Sequence, residues 1–125
     1  MVTGLPLVLL RIEGAALLAG SLYLYSKVGQ SWILFAALLL APDVSAAGYL
    51  FGSRVGAFAY DVAHIELGPA VLAAIGVGGH HPLLWSLALI WLAHIGLDRA
   101  LGLGLKYPTA FSDTHLGKMG KAASD

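Results

Sequence analysis

The stretch WLAHIGLDRALG, Trp91 to Gly102, lies inside a long apolar run and still carries His94, Asp98 and Arg99. In a water-soluble helix, three ionisable groups among leucines would mark an exposed face. The rest of the chain argues against such a face. Of its 125 residues, 58% are hydrophobic and only 11% are charged, against about 25% charged in an ordinary soluble domain. So few charges cannot cover a surface, which makes lipid the expected solvent. His94, Asp98 and Arg99 then become ionisable groups inside a membrane span. On insertion scales each such group costs about 2.5–3.5 kcal/mol at the bilayer centre. They must be paired, hydrogen-bonded, neutralised or bound to a metal.

A spanning helix needs roughly 20 mostly apolar residues. Four segments qualify: about Leu5 to Tyr25, Ser31 to Phe51, Val55 to Val77 and Pro82 to Leu105. The first is read as a membrane helix rather than a cleaved leader, because Arg11 and Glu13 interrupt it and no basic start precedes it. The links SKVGQ, GSR and GVGGHHP are short, so neighbouring helices are expected to run antiparallel. Period-2 alternation is absent, which argues against a barrel. The expected architecture is an all-α, integral membrane four-helix bundle with up-down topology over residues 1–107. A tail over 108–125 follows, loose in its last part. Pro42 removes the hydrogen bond to the Leu38 carbonyl and should bend the second span just before Asp43. Small residues four apart (Ala15/Ala19, Ala16/Gly20, Gly52/Gly56, Gly96/Ala100) allow close helix approach.

Arg54, Lys106, Lys118 and Lys121 fall at one side of the membrane, with only Lys27 at the other. The excess of basic residues places both termini and the GSR loop in the cytoplasm. Net charge is zero, so there is no basic footprint for nucleic acid. The absence of cysteine excludes disulfides, thiolate metal sites and cysteine nucleophiles.

Every span carries an acid or an imidazole. Counted at 1.5 Å per residue from the cytoplasmic ends, Glu13, Asp43, Asp61, His64, His94 and Asp98 all lie roughly 9–16 Å deep. Asp61 and His64 are three apart and His94 and Asp98 four apart, so each pair shares a helix face. Ferritin-like bundles build metal sites from lone carboxylates on two helices and carboxylate-x-x-His pairs on two others. Asp61-x-x-His64 has that spacing. His94-x-x-x-Asp98 is a variant with reversed order and one extra residue.

The expected ligands are Asp43, Asp61, His64, His94 and Asp98, with Glu13 as a further ligand or general base. Two imidazoles and several carboxylates suit Zn²⁺, Fe²⁺ or Mn²⁺. Arg11, Arg99 and Lys106 would hold an anionic group at the cytoplasmic side. His115, in the tail stretch FSDTHLG, could join them if that segment folds back as a lid. In catalytic terms, Glu13, Asp43 and Arg99 carry the chemistry, and Arg11, Lys106 and His115 bind a small lipid-soluble or interfacial substrate.

Three other readings use the same residues. One is a proton or ion relay, which in so thin a chain implies a homo-oligomer. Another is a haem held between His64 and His94, disfavoured by the flanking Asp61 and Asp98. The last is a set of ion pairs that fix helix register, such as Arg99 with Asp98 or Asp43, and Arg11 with Glu13. His80 and His81 read as loop residues. Trp32, Trp85 and Trp91 read as interface or packing aromatics.

The stretches LLRIEG, LAPDVSAAGYLFGSRVGAFAYDVAH and WLAHIGLDRALGLGLKYPTAFSDTHLG resemble the small bacterial membrane proteins grouped as a domain-of-unknown-function family, DUF4260. The resemblance runs from about Leu9 to Lys118. It implies a bacterial inner-membrane protein in which Arg11, Glu13, Asp43, His64, His94, Asp98, Arg99, Lys106, Tyr107, Thr114 and His115 belong to the family's pattern. It implies no activity. The chain is also similar, more weakly, to small membrane-bound metal-dependent hydrolases, which combine a Pro-Asp element with His and Asp on later helices. Here Pro42-Asp43, His64 and His94-x-x-x-Asp98 take those places. A His-Arg-Gly-x-Thr-His type motif is missing, with Asp113-Thr114-His115 as a partial substitute.

Overall fold

A computed structural model describes residues 2–108 and 112–118. Four helical stretches in it are long and apolar enough to cross a membrane: Gly4–Val28, Trp32–Phe51, Ser53–Gly78 and Pro82–Ala100. Two are single helices and two are broken. Helix α1 (Gly4–Val28) ends at Gly29, whose φ of +83° is the left-handed cap that glycine adopts without penalty. The second span consists of α2 (Trp32–Leu38), a two-residue turn and a 3₁₀ helix (Ala41–Phe51). The third consists of α3 (Ser53–His64) and α4 (Leu67–Gly78). The fourth is α5 (Pro82–Ala100). The expected last part of the tail, 119–125, lies outside the described residues.

Both breaks have the same cause. A proline lacks the N–H that would bond to the carbonyl four residues back, and its ring collides with that carbonyl. Pro42 acts on Leu38, where α2 ends. Pro69 acts on Ile65, which leaves the helix with φ −100° and ψ 158°. The first break was expected from the sequence. The second was not, and it splits the third span in the middle. Eleven residues of 3₁₀ geometry after Pro42 are unusual, since such runs seldom exceed three or four.

Helix α5 is the centre of the molecule. Half of its apolar window is buried, against 17% or less in the other spans. It packs against α1 on one side and α4 on another, while the 3₁₀ helix packs against α3. The α1–α5 crossing is set by glycine. A Cβ on Gly14 would sit 2.5 Å from the Arg99 Cβ, and one on Gly96 would sit 2.6 Å from the Leu18 backbone nitrogen. Gly20, also read as a packing glycine, faces open space.

The fourth span stops at Ala100 rather than near Leu105. Gly102 takes φ +81° and donates to the Arg99 carbonyl, while Leu103 N–H reaches back to the Asp98 carbonyl at 2.7 Å. These are the two hydrogen bonds of a Schellman ending. Beyond it the chain folds back across the end of the helices. Lys106 pairs with Thr114, and a two-residue ribbon joins Asp113–Thr114 (β1) to Gly117–Lys118 (β2). Val2 N–H donates to the His115 carbonyl, tying the two ends of the described chain together.

Candidate metal centre

The two broken spans and α5 meet at four side chains: Asp43, His64, His94 and Asp98. Asp43 sits on the first turn of the 3₁₀ helix, placed there by the Pro42 break. His64 is the last residue of α3, placed by the Pro69 break. His94 and Asp98 lie one turn apart on α5.

The imidazoles are oriented by backbone carbonyls. His64 Nδ1 lies 2.7 Å from the Tyr60 carbonyl, and His94 Nδ1 lies 2.6 Å from the Leu39 carbonyl. A carbonyl oxygen only accepts, so both Nδ1 atoms carry the proton and donate it. In the neutral ring each Nε2 then holds a lone pair. The two Nε2 atoms are 3.0 Å apart. Asp43 Oδ1 lies 3.1 Å from the first and 3.2 Å from the second, and Asp98 Oδ2 lies 3.5 and 3.2 Å from them. Four electron-rich atoms thus converge on one point, all within 4.8 Å of one another. Only positive charge, as protons or as a metal ion, makes that arrangement stable.

The spacing suits a metal. Metal–ligand bonds of about 2.0–2.1 Å in a tetrahedron put the ligand atoms about 3.4 Å apart. The donor set, two imidazoles and two carboxylates, suits Zn²⁺, Fe²⁺ or Mn²⁺. The Nδ1–H bonds to carbonyls are the outer contacts that metal-binding histidines usually make. His64, His94 and Asp98 are buried, whereas the Asp43 side chain is 47% exposed. The centre is therefore closed on three sides and open at Asp43.

Its supports come from the breaks. A helix end leaves carbonyls without donors, and in an apolar medium each costs several kcal/mol if left unpaired. Trp91 Nε1–H donates to the Ala63 carbonyl at 2.6 Å, and Arg99 Nη2 donates to the His64 carbonyl at 3.0 Å. Both donors come from α5, the helix that supplies His94 and Asp98. The Tyr60 ring stacks on the His64 imidazole, with centroids 3.7 Å apart and planes 10° apart. The Lys106 Nζ lies 4.4 Å from the centre of the same Tyr60 ring.

The other residues singled out from the sequence sit elsewhere. Asp61, expected as a ligand, turns its Oδ1 to the Lys106 backbone N–H at 2.6 Å and is outside the group of four. Glu13 is exposed on α1 and also outside that group. Arg11 Nε donates to the Ala100 carbonyl at 2.9 Å, capping α5, and Arg99 caps α3. Both arginines donate to backbone carbonyls. Lys106 is buried, and burial lowers its pKa against the opposing pull of Asp61, Asp98 and Asp43. The His115 Nδ1 accepts from the Leu105 N–H at 2.7 Å. Burial, then repulsion from Arg99, holds its pKa below the ordinary histidine value.

A protein-family model described as a domain of unknown function, DUF4260, matches residues 7–119. The chain belongs to the DUF4260 family. The match includes all four residues of the centre and both prolines that position it. No curated protein and no solved structure matches the chain.

Sequence reasoning missed Pro69, Tyr60 and Trp91 as parts of the site. The signal for Pro69 was present, since the rule that located the Pro42 bend applies to it unchanged. Nothing local marked Trp91. Its role exists only because the break at Ile65 frees the carbonyl it bonds to.

Proposed function

We propose that this DUF4260 protein is a membrane enzyme dependent on a divalent ion, with Asp43, His64, His94 and Asp98 as ligands and a small membrane-associated molecule as substrate. The observation that carries this reading is the pair of Nε2 atoms 3.0 Å apart, both turned inward by their Nδ1–H bonds and facing two carboxylate oxygens. A purely structural ion-pair cluster needs no such convergence of lone pairs. A divalent ion at that point supplies Lewis acidity for hydrolysis or, if iron, redox chemistry.

The chain's own residues supply the rest. Asp43, the exposed ligand, faces the approach. Lys106 brings a buried amine under the electrostatic influence of Asp43 and Asp98, a placement suited to an anionic substrate group. His115 holds the Lys106 segment in place through Leu105. Arg99 and Arg11 position helix ends. The reading gives no role to Glu13 or to a haem. A macrocycle does not fit between imidazole nitrogens 3.0 Å apart. The bias of Lys and Arg puts the centre in the cytoplasmic half of a bacterial inner membrane, with antiparallel spans and both termini cytoplasmic.

A second reading rests on the same contacts. Protons shared among the imidazoles and carboxylates would also stabilise the cluster, as in a proton relay. Elemental analysis separates the two. Purified protein incubated with Zn²⁺, Fe²⁺ or Mn²⁺ and then desalted is expected to retain about one equivalent of ion, and a His94→Ala variant almost none. Retention of no ion by the unaltered protein would leave the proton reading standing alone.

A further inference from the structure

The face of α5 that carries His94 and Asp98 continues toward the other end of the helix as Trp91 and Leu87, in steps of three and four residues. Trp91 and Leu87 form one wall of an apolar groove of 270 Å³. Leu38, Ala41 and Pro42 of the second span and Leu72 of α4 form the others. The groove ends at Pro42, the neighbour of Asp43. Asp43 is the exposed member of the centre. Leu39, whose carbonyl holds His94, lies between two of the groove residues in sequence. The 3₁₀ helix packs on α3 while α4 packs on α5, and the groove is lined from the second span, α4 and α5.

We propose that the centre is loaded sideways from the bilayer, and that its substrate is an amphiphile with one hydrocarbon chain. The chain lies in the Leu38–Pro42–Leu72–Leu87 groove, and the oxygen-bearing head meets the ligands beside Asp43. This rests on the metal-enzyme reading above and gives it a substrate class and an entry route. The apolar lining selects a hydrocarbon occupant, and Asp43 is the member of the centre exposed to meet a polar head. A second apolar groove, of 460 Å³, lies on the other side of Trp91 along α3 and α4. Its lining includes Ala63 and Ile65 beside His64, which is buried, and no neighbour of the exposed Asp43.

The test uses a dodecanoate fluorinated in mid-chain, dissolved in phosphatidylcholine vesicles that contain the full chain. Mn²⁺-loaded protein is expected to broaden the fluorine resonance, and Zn²⁺-loaded protein to leave it sharp. Leu72→Trp fills the groove from α4 and should abolish the broadening while the Mn²⁺ content stays at that of the unaltered protein. Leu87→Trp fills it from α5 and serves if Leu72→Trp loses its ion through misfolding. Broadening that survives in a groove-filled variant with its Mn²⁺ intact overturns the proposal. So does broadening lost only when Val62→Trp fills the second groove. Absence of bound Mn²⁺, Zn²⁺ and Fe²⁺ from the unaltered protein removes the metal reading itself, and the groove's role with it. Bound Mn²⁺ without broadening removes the groove's role alone.

Discussion

The two unbroken helices and the two broken spans do different work. Helices α1 and α5 run without interruption, and glycine lets their backbones touch at Gly14 and Gly96. The second and third spans give up helical hydrogen bonds at Pro42 and Pro69 and in return place Asp43 and His64 opposite α5. Close backbone contact is how membrane helices associate when lipid removes the hydrophobic drive. Interrupted backbone inside a span is tolerated only where other groups re-satisfy it. Trp91 and Arg99 do that here. Helix α5 belongs to both arrangements: one face meets α1, and another carries the ligands and the donors that mend α3.

Mending the break at its source should damage the centre most. Pro69→Ala restores an N–H for the Ile65 carbonyl and removes the ring clash, worth about 3 kcal/mol or more in a helix interior. The third span is then free to run straight, which rotates His64 off the point where Nε2 meets His94. Disturbing the groups that orient a ligand typically costs about 10–100-fold in metal affinity. Competition with a chelator is expected to show a loss of that size, with helical circular dichroism unchanged or higher. Unchanged affinity would mean that the break does not position His64.

The unbroken pair should respond in the opposite sense. Gly14→Val puts a side chain where a Cβ alone would sit 2.5 Å from the Arg99 Cβ and 2.7 Å from the Ala100 nitrogen. Backbone cannot step aside as a rotamer can, so α1 must move off α5. Overpacking of this kind costs about 1–3 kcal/mol. Thermal unfolding of the metal-free protein in detergent should register that loss, while the number of ions retained by the folded protein stays the same, because α1 contributes no ligand. A fall in metal content would show that the two arrangements are coupled through α5.

Much of this was readable in the residues. Apolar run length located four spans, and the cost of intramembrane charge singled out Asp43, Asp61, His64, His94 and Asp98, with Glu13 beside them; four of the six meet in one group. What could not be read was which neighbour each acid would meet. Depth and helical face put Asp61 in the same slab as the four, but its carboxylate found the Lys106 N–H, supplied by a segment beyond the last span. Glu13 also lay at the right depth, and the glycine contacts of α1 with α5 leave it on an exposed side. Pairing of this kind depends on how helices rotate against each other, and no single-helix periodicity encodes it. The hidden break at Ile65 is a different case. Continuous hydropathy masked Pro69, although its chemistry is the same as that of Pro42.

The smallest expected effect lies outside the spans and concerns the segment that folds back across the end of the helices. Its register depends on the His115 Nδ1 accepting from Leu105 N–H, which a ring protonated at Nδ1 cannot do. Burial and Arg99 hold the folded pKa of His115 below its ordinary value of 6.5. The unfolded segment therefore binds more protons in the window between the folded value and 6.5. Stability contributed by this group is full above about pH 6.5 and declines as pH falls through that window. A hydrogen bond of this kind contributes about 0.5–1.5 kcal/mol, so the segment should loosen on mild acidification without global unfolding. Hydrogen exchange at Leu105 and Tyr107, corrected for intrinsic rates, is expected to speed up several-fold from pH 7.5 to pH 5.5. Tyr107 reports because its N–H is held by the Asp113 carbonyl in the same fold-back. In His115→Gln, whose amide oxygen accepts at either pH, the corrected rates should no longer change with pH. If they still do, the sensitivity belongs to the carboxylates and imidazoles of the centre, and the fold-back merely follows it.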